Sequence, residues 1–161
     1  MLNRTPLGHW VIEGDDYGVS GLVRKANSFA YPENVDVLTR VAPFIPEGGI
    51  VVDAGASIGD QTVMYSQMVG VAGHVYAFEP LHAVYEALVK NTERFRNITA
   101  IEMALGAIIR DDLVFSMSLT NLGASFVGTD DRYPAFPTTR VTMTTLDSAL
   151  ADVPRVDFIH L

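Results

Sequence analysis

Cysteine is absent from this chain of 161 residues. Its absence excludes disulfides and thiolate-held metal sites, and it agrees with a reducing, cytoplasmic setting. Positive charge is scarce, with 11 lysines and arginines against 19 acids and a net charge of −8. Nucleic-acid affinity comes largely from neutralising phosphates, so no nucleic-acid partner is expected. Arg24-Lys25 and the scattered arginines make no basic patch. No apolar run approaches the roughly 18 residues of a bilayer-spanning helix, so no membrane partner is expected either. The segment Met1-Leu2-Asn3-Arg4-Thr5-Pro6 lacks the apolar core of a signal peptide. No repeat or low-complexity stretch interrupts the chain. With 48% hydrophobic and 19% charged residues, the composition is that of one ordinary globular α/β domain, long enough for a real core.

What is present is organised around Gly49 to Asp60. Ile50-Val51-Val52 is a short β-branched run that reads as a strand buried on both faces, as in a parallel sheet. Gly55 and Gly59 bracket a tight turn, and Met64, Tyr65, Met68 and Val69 then follow at helical spacing, with Ser57 or Asp60 as the expected cap. Strand, glycine turn and helix open a nucleotide-type α/β fold. A dinucleotide fold carries G-x-G-x-x-G and sets its pyrophosphate on a bare helix N-terminus. Here Ser57 replaces the middle glycine and a carboxylate, Asp53, stands at the strand end. Unpaired, that charge repels a pyrophosphate and attracts a cation. S-adenosylmethionine, with its ammonium and sulfonium, suits the site better than NAD. Gly73 to Pro80 reads as strand two, and Glu79 at its tip is placed to accept bonds from two ribose hydroxyls, or else to cap the next helix. Pro80 suits the first turn of that helix.

The ordered set Val51-Val52-Asp53-Ala54-Gly55-Ala56-Ser57-Ile58-Gly59-Asp60-Gln61-Thr62 and Gly73-His74-Val75-Tyr76-Ala77-Phe78-Glu79-Pro80 resembles the FkbM-type family of S-adenosylmethionine-dependent methyltransferases. Leu88-Val89-Lys90-Asn91, Ala104-Leu105-Gly106, Thr145-Leu146-Asp147 and Val156-Asp157-Phe158-Ile159 match further pieces in order, so the likeness runs from about Gly48 to Leu161. The resemblance implies a class I, Rossmann-like parallel sheet with helices on both faces. It also implies S-adenosylmethionine as cofactor and O-methylation of a hydroxyl on a sugar or small metabolite. The candidate cofactor residues are Asp53, Gly55, Ser57, Gly59, Thr62, Glu79, Pro80 and Ala104. Thr62, in the first helical turn, is placed to hold the cofactor's carboxylate, and the backbone of Ala104 to meet adenine, with Met103 beside it either covering the ring or simply packing.

Residues 1–48 are expected to form an N-terminal strand at His9 to Glu13, a turn at Gly14 to Gly18 and a leading helix at Glu33 to Phe44. Residues 49–161 form the cofactor-binding domain. Asp15 and Asp16 are read as a solvated turn, with reach into the site as the alternative. Leu81 to Phe95 reads as the second helix, Asn91 as a structural residue within it, and Ile98 to Met103 as strand three. Asp112 to Ser118 and Thr139 to Thr144 alternate and are expected to pair as an antiparallel excursion. In the loop between them, Asn121 and Ser125 are either ordinary turn residues or bond a substrate hydroxyl. Asp147 is the expected cap of a short helix through Ala151, and Val156 to Leu161 is expected to form strand four. The family pattern continues with Asp-x-Glu-Gly, beyond Leu161, and carries lysine where His160 stands, so the sheet is expected to be incomplete. Self-association through the exposed edge of strand four then stays open. No catalytic base and no metal ligand are assigned: His9, His74, His82 and His160 qualify by residue type alone. An inactive methyltransferase-fold remnant or binding module, and a nicotinamide enzyme, are the alternatives.

Overall fold

The computed structural model describes residues 1–161. Two short strands, β1 (Leu2–Arg4) and β2 (Trp10–Ile12), open the chain as an antiparallel hairpin. Helix α1 (Val19–Ala26), which the sequence reading lacks, follows the turn at Gly14 to Gly18. Helix α2 (Pro32–Val41) carries proline in its first turn and gives way to a 3-10 turn at Ala42–Phe44. A continuous helix to Phe44 was the expectation. Pro43 ends it, because its ring blocks the preceding turn and its nitrogen has no hydrogen to donate.

From there β3 (Ile50–Ala54), α3 (Asp60–Val69), β4 (His74–Phe78), α4 (His82–Thr92) and β5 (Ile98–Ile101) alternate as the periodicity indicates. The chain then leaves the sheet for β6 (Ala104–Leu105), β7 (Arg110–Ser116), β8 (Phe126–Val127) and β9 (Thr138–Thr144). It returns through α5 (Leu146–Ala149) to β10 (Phe158–His160). The main sheet has the order β10-β3-β4-β5 with every pair parallel. That is the 3-2-1-4 order of a Rossmann-like fold, whose ligands bind beyond the carboxyl ends of the strands.

Val51 and Val52 are both fully buried on opposite faces of β3. Val51 packs with Leu38, Tyr65 and Val69 of α2 and α3, while Val52 packs with Phe78 and Leu150 beyond α5. Helices therefore cover both faces, although α5 is a single turn. Its cap is the Thr145 hydroxyl, which accepts from the Ser148 amide at 3.2 Å; Asp147, the expected cap, lies inside the first turn. The expected excursion exists: β7 and β9 are antiparallel, with Leu113 opposite Val141, and β6 and β8 flank them in a second four-stranded sheet. The largest apolar cluster joins Val11, Ile12 and Val23 to Ile58, Val84, Leu113 and Val141. It welds residues 1–48 to α4 and the second sheet. No helix is long and apolar enough to cross a membrane.

Asn91 holds this junction. Its carboxamide accepts from the Trp10 amide at 2.7 Å and donates to the carbonyls of Trp10 at 2.9 Å and Ile58 at 2.8 Å. One side chain thus ties β2 to the turn before α3. Asn91→Ala leaves three polar backbone groups without partners and is expected to cost on the order of 2–3 kcal/mol in urea unfolding. The emission of Trp10, the chain's one tryptophan, should shift to the red with it. An unchanged midpoint would show that water replaces the amide.

Candidate functional site

The site begins where β3 ends. Gly55 (φ 82°), Ser57 (φ 51°) and Gly59 (φ 88°) all take left-handed backbone. A side chain at Gly59 would also press on Leu88 at 2.9 Å. At Gly55 an added Cβ meets open space, so only backbone geometry selects glycine there. The amides of Gly55 and Ala56 both donate to the Phe78 carbonyl at 2.9 Å, which fixes the turn against the tip of β4. Neither Ser57 nor Asp60 caps α3. Its cap is Gly59, because the left-handed turn carries Ser57 away from the helix and the Asp60 carboxylate accepts instead from the Tyr31 hydroxyl at 2.6 Å.

Asp53 departs most from the sequence reading. It is buried and it is not unpaired. The Thr62 hydroxyl donates to Oδ2 at 2.6 Å, and His160 Nδ1 lies 3.2 Å from Oδ1. The bond to Asp53 raises the basicity of His160 above its ordinary value, against the effect of burial, and so favours the imidazolium. The aspartate charge is met inside the protein by a residue 107 positions away. Thr62, fully buried, has its hydroxyl committed to Asp53 rather than free for a ligand's carboxylate.

Glu79 is the acid at the cavity. It follows β4 directly, and its carboxylate accepts from the Ser57 amide at 3.1 Å and the Leu81 amide at 2.9 Å. Burial pushes its pKa up to about 7, the charge on Asp53 adds to the rise, and the two amides oppose it. Burial likewise lifts Asp60 to about 6, against the Tyr31 hydroxyl.

A cavity of about 340 Å³ opens at the carboxyl ends of β3 and β4. That volume falls within the usual range for small-molecule sites. One wall is the main sheet: Gly55, Ser57, Glu79 and Pro80, with Leu81 and Val84 of the α4 approach and Met103 to Leu105 after β5. The other wall is the second sheet and its loop: Phe115, Leu122, Gly123, Ser125 and Val127. Of the sequence candidates, Gly55, Ser57, Glu79, Pro80 and Ala104 line the cavity, and so does Met103. Asp53, Gly59 and Thr62 lie behind them as supports. Pro80 precedes the N-cap of α4, Leu81, and so stands outside the helix it was expected to begin.

Asp15 was read as solvated and is buried. Its carboxylate accepts from Ser20 N at 3.0 Å and Leu122 N at 2.8 Å, so the leading segment grips the cavity loop. Asp16 is exposed and pairs with Arg24 at 2.7 Å. Ser125 lines the cavity and Asn121 does not. Among the histidines, His74 begins β4 at the opposite edge of the sheet, His9 packs on the Phe29 ring, and exposed His82 bonds Glu102 at 2.8 Å. Phe115, Leu122 and Val127 were missed as lining residues. The alternation of β7 marks Phe115 as inward, but nothing in the sequence says which sheet it faces.

No family model matches the chain, and no curated protein matches it. Among solved structures, an S-adenosylmethionine-dependent O-methyltransferase from Thermotoga maritima is 18% identical over 63% of this chain and 40% of that one, with a TM-score of 0.42. A SAM-dependent methyltransferase from Aquifex aeolicus is 22% identical over 50% and 49%, with a TM-score of 0.38. Fibrillarin from Aeropyrum pernix, solved with natively bound S-adenosyl-L-methionine, is 24% identical over 38% and 26%, with a TM-score of 0.37. The matched region spans less than half the length of each of these proteins.

Two measurements test the electrostatics. Thr62→Val keeps the shape but leaves the buried Asp53 short of a donor, and should cost about 1–3 kcal/mol in urea unfolding. A neutral outcome would show that the Thr62 hydroxyl is not needed to hold Asp53 in place. The folded chain also holds the Glu79 proton more tightly than the unfolded one. Its stabilising contribution is therefore whole below the model-compound value of 4.5 and is lost as pH rises to about 7. The fall in melting temperature across this window should be shallower in Glu79→Gln than in the parent.

Proposed function

We propose that the cavity binds S-adenosylmethionine and that the protein is an S-adenosylmethionine-dependent methyltransferase of the FkbM type, acting on a hydroxyl acceptor. The observation that carries this reading is the charge of the cavity. Its one ionisable side chain is Glu79, and no lysine, arginine or histidine lines it. A pyrophosphate meets no cation here, whereas a cationic nucleoside meets a carboxylate. The ordered motif set from Val51 to Ile159 supports the same reading.

The residues present fit such a ligand. Glu79 is placed to take both ribose hydroxyls, and Gly55 leaves open the space that any side chain would fill. Leu81, Val84, Met103 and Ala104 give the same wall an apolar patch suited to a purine. Held against Glu79 and the Gly55 turn, the cofactor would supply a methyl group activated by its sulfonium for transfer to an acceptor oxygen. The protein's part is to align that oxygen, and the acceptor's proton passes to solvent.

Calorimetric titration with S-adenosylmethionine, beside NAD as control, tests the proposal. The hydroxyls bond the ionised form of Glu79, whose pKa is about 7. Affinity should therefore be about tenfold tighter at pH 8 than at pH 6, since only the ionised fraction is competent. Glu79→Gln should weaken binding and abolish the pH dependence. Binding of NAD in preference, or no saturable binding by the folded chain, overturns the reading.

A further inference from the structure

From the wall opposite Glu79, we infer that the methyl acceptor is a predominantly apolar molecule carrying an isolated hydroxyl, a phenol being the smallest case, rather than a sugar. This rests on the methyl-transfer reading above. The main-sheet wall holds the groups suited to a nucleoside, so the acceptor is left with the second sheet. That wall presents Phe115, Leu122, Val127 and the backbone at Gly123, with Ser125 as its one polar side chain.

The hydrogen-bonding capacity of this wall is small. Ser125 Oγ already accepts from the Ser118 amide at 3.1 Å, which leaves its hydroxyl one proton to give and one lone pair to accept with. One such hydroxyl serves at most two groups of an acceptor. A sugar laid on this surface would place several further hydroxyls against apolar side chains, and each polar group left unpaired weakens binding. An apolar ring has nothing to leave unpaired, and it gains by covering Phe115 and Val127.

The wall is also built rather than improvised. Phe115 and Val127 are opposite each other in the β7–β8 register, so both fall on the cavity face. The reverse face carries Phe126, which packs with Tyr133 and Phe136 at ring-centre distances of 5.9 and 6.3 Å. Ser116 Oγ donates to the Gly128 carbonyl at 2.6 Å and closes the ribbon behind them. At the loop, Asp15 takes the Leu122 amide, and the Tyr17 amide donates to the Thr120 carbonyl at 2.8 Å. A fixed apolar surface of this kind disfavours a ligand whose several hydroxyls it would bury without partners.

The test titrates the chain, loaded with S-adenosylhomocysteine, with 4-propylphenol and with methyl α-glucoside. The phenol should bind saturably and at least tenfold tighter than the glucoside. Val127→Asp, in an exposed edge strand whose folding is checked by thermal melting, should reduce phenol affinity at least tenfold. Ser125→Ala should weaken it less. Equal or tighter binding of the glucoside, binding of neither probe, or phenol binding indifferent to Val127→Asp overturns the inference. Failure of S-adenosylhomocysteine to bind overturns only the cofactor reading; the two probes are then compared on the unloaded chain, and the same outcomes decide the preference of the wall.

Discussion

Everything around the cavity depends on the turn between β3 and α3 staying in left-handed backbone. Three of its five residues have positive φ, and one of them, Ser57, carries a side chain. That conformation costs roughly 1–2 kcal/mol for an L-residue. It persists because the turn is bonded from three directions. The Phe78 carbonyl takes the amides of Gly55 and Ala56, Glu79 takes the amide of Ser57, and Asn91 reaches the Ile58 carbonyl. The turn therefore fixes the distance between β4 and α3, places Glu79 at the cavity and connects through Asn91 to the N-terminal hairpin. A relaxed turn would move all three.

The buried acids show how the fold distributes charge around that turn. Asp53 is met by His160 and Thr62, and Asp60 by Tyr31. Both are compensated away from the cavity. Glu79 has only two backbone amides, and its raised pKa records how incompletely they replace water. A buried carboxylate with spare acceptor capacity is costly in the free protein, and a ligand that brings hydroxyl donors removes part of that cost. The cavity is poised for a hydrogen-bonding, electropositive occupant by the same imbalance.

The main sheet was legible because its signals are local. Ile50-Val51-Val52, the glycine spacing and the acid before Pro80 lie within short windows, and periodicity reads such windows well. Helix α2 was legible for the same reason, and its end was missed only at Pro43. The partners of Asp53 and Asp15 were not legible. His160 and Leu122 each lie 107 positions from the acid they meet. A charge that looks unpaired in sequence is unpaired only until the fold closes. Asp15-Asp16-Tyr17-Gly18 has the composition of a turn whether water or protein takes its carboxylates, and Gly18 fits the buried outcome, since a Cβ there would collide with the Asp15 carboxylate. The charge argument from Asp53 thus rested on an acid that the fold pairs with Thr62 and His160. Glu79 sustains it, because Glu79 faces the cavity.

The two walls of the cavity have different origins, and this bears on what each can specify. The main-sheet wall comes from the β3-turn-α3 unit, β4 and the segment after β5, and it is tied to the leading segment through Asn91 and through the apolar cluster that holds Leu81, Val84 and Ala104. The opposite wall is an excursion whose position is fixed from outside, by Asp15 at Leu122 and by the apolar cluster that joins Val11 and Val23 to Leu113 and Val141. Residues 1–48 are for that reason part of the site's architecture, even though none of them lines the cavity. A change in the leading segment is transmitted to Leu122 and Gly123 through a buried carboxylate and a packed core, neither of which deforms gradually. Of the two walls, Asp15 itself bonds only the opposite one, at Leu122.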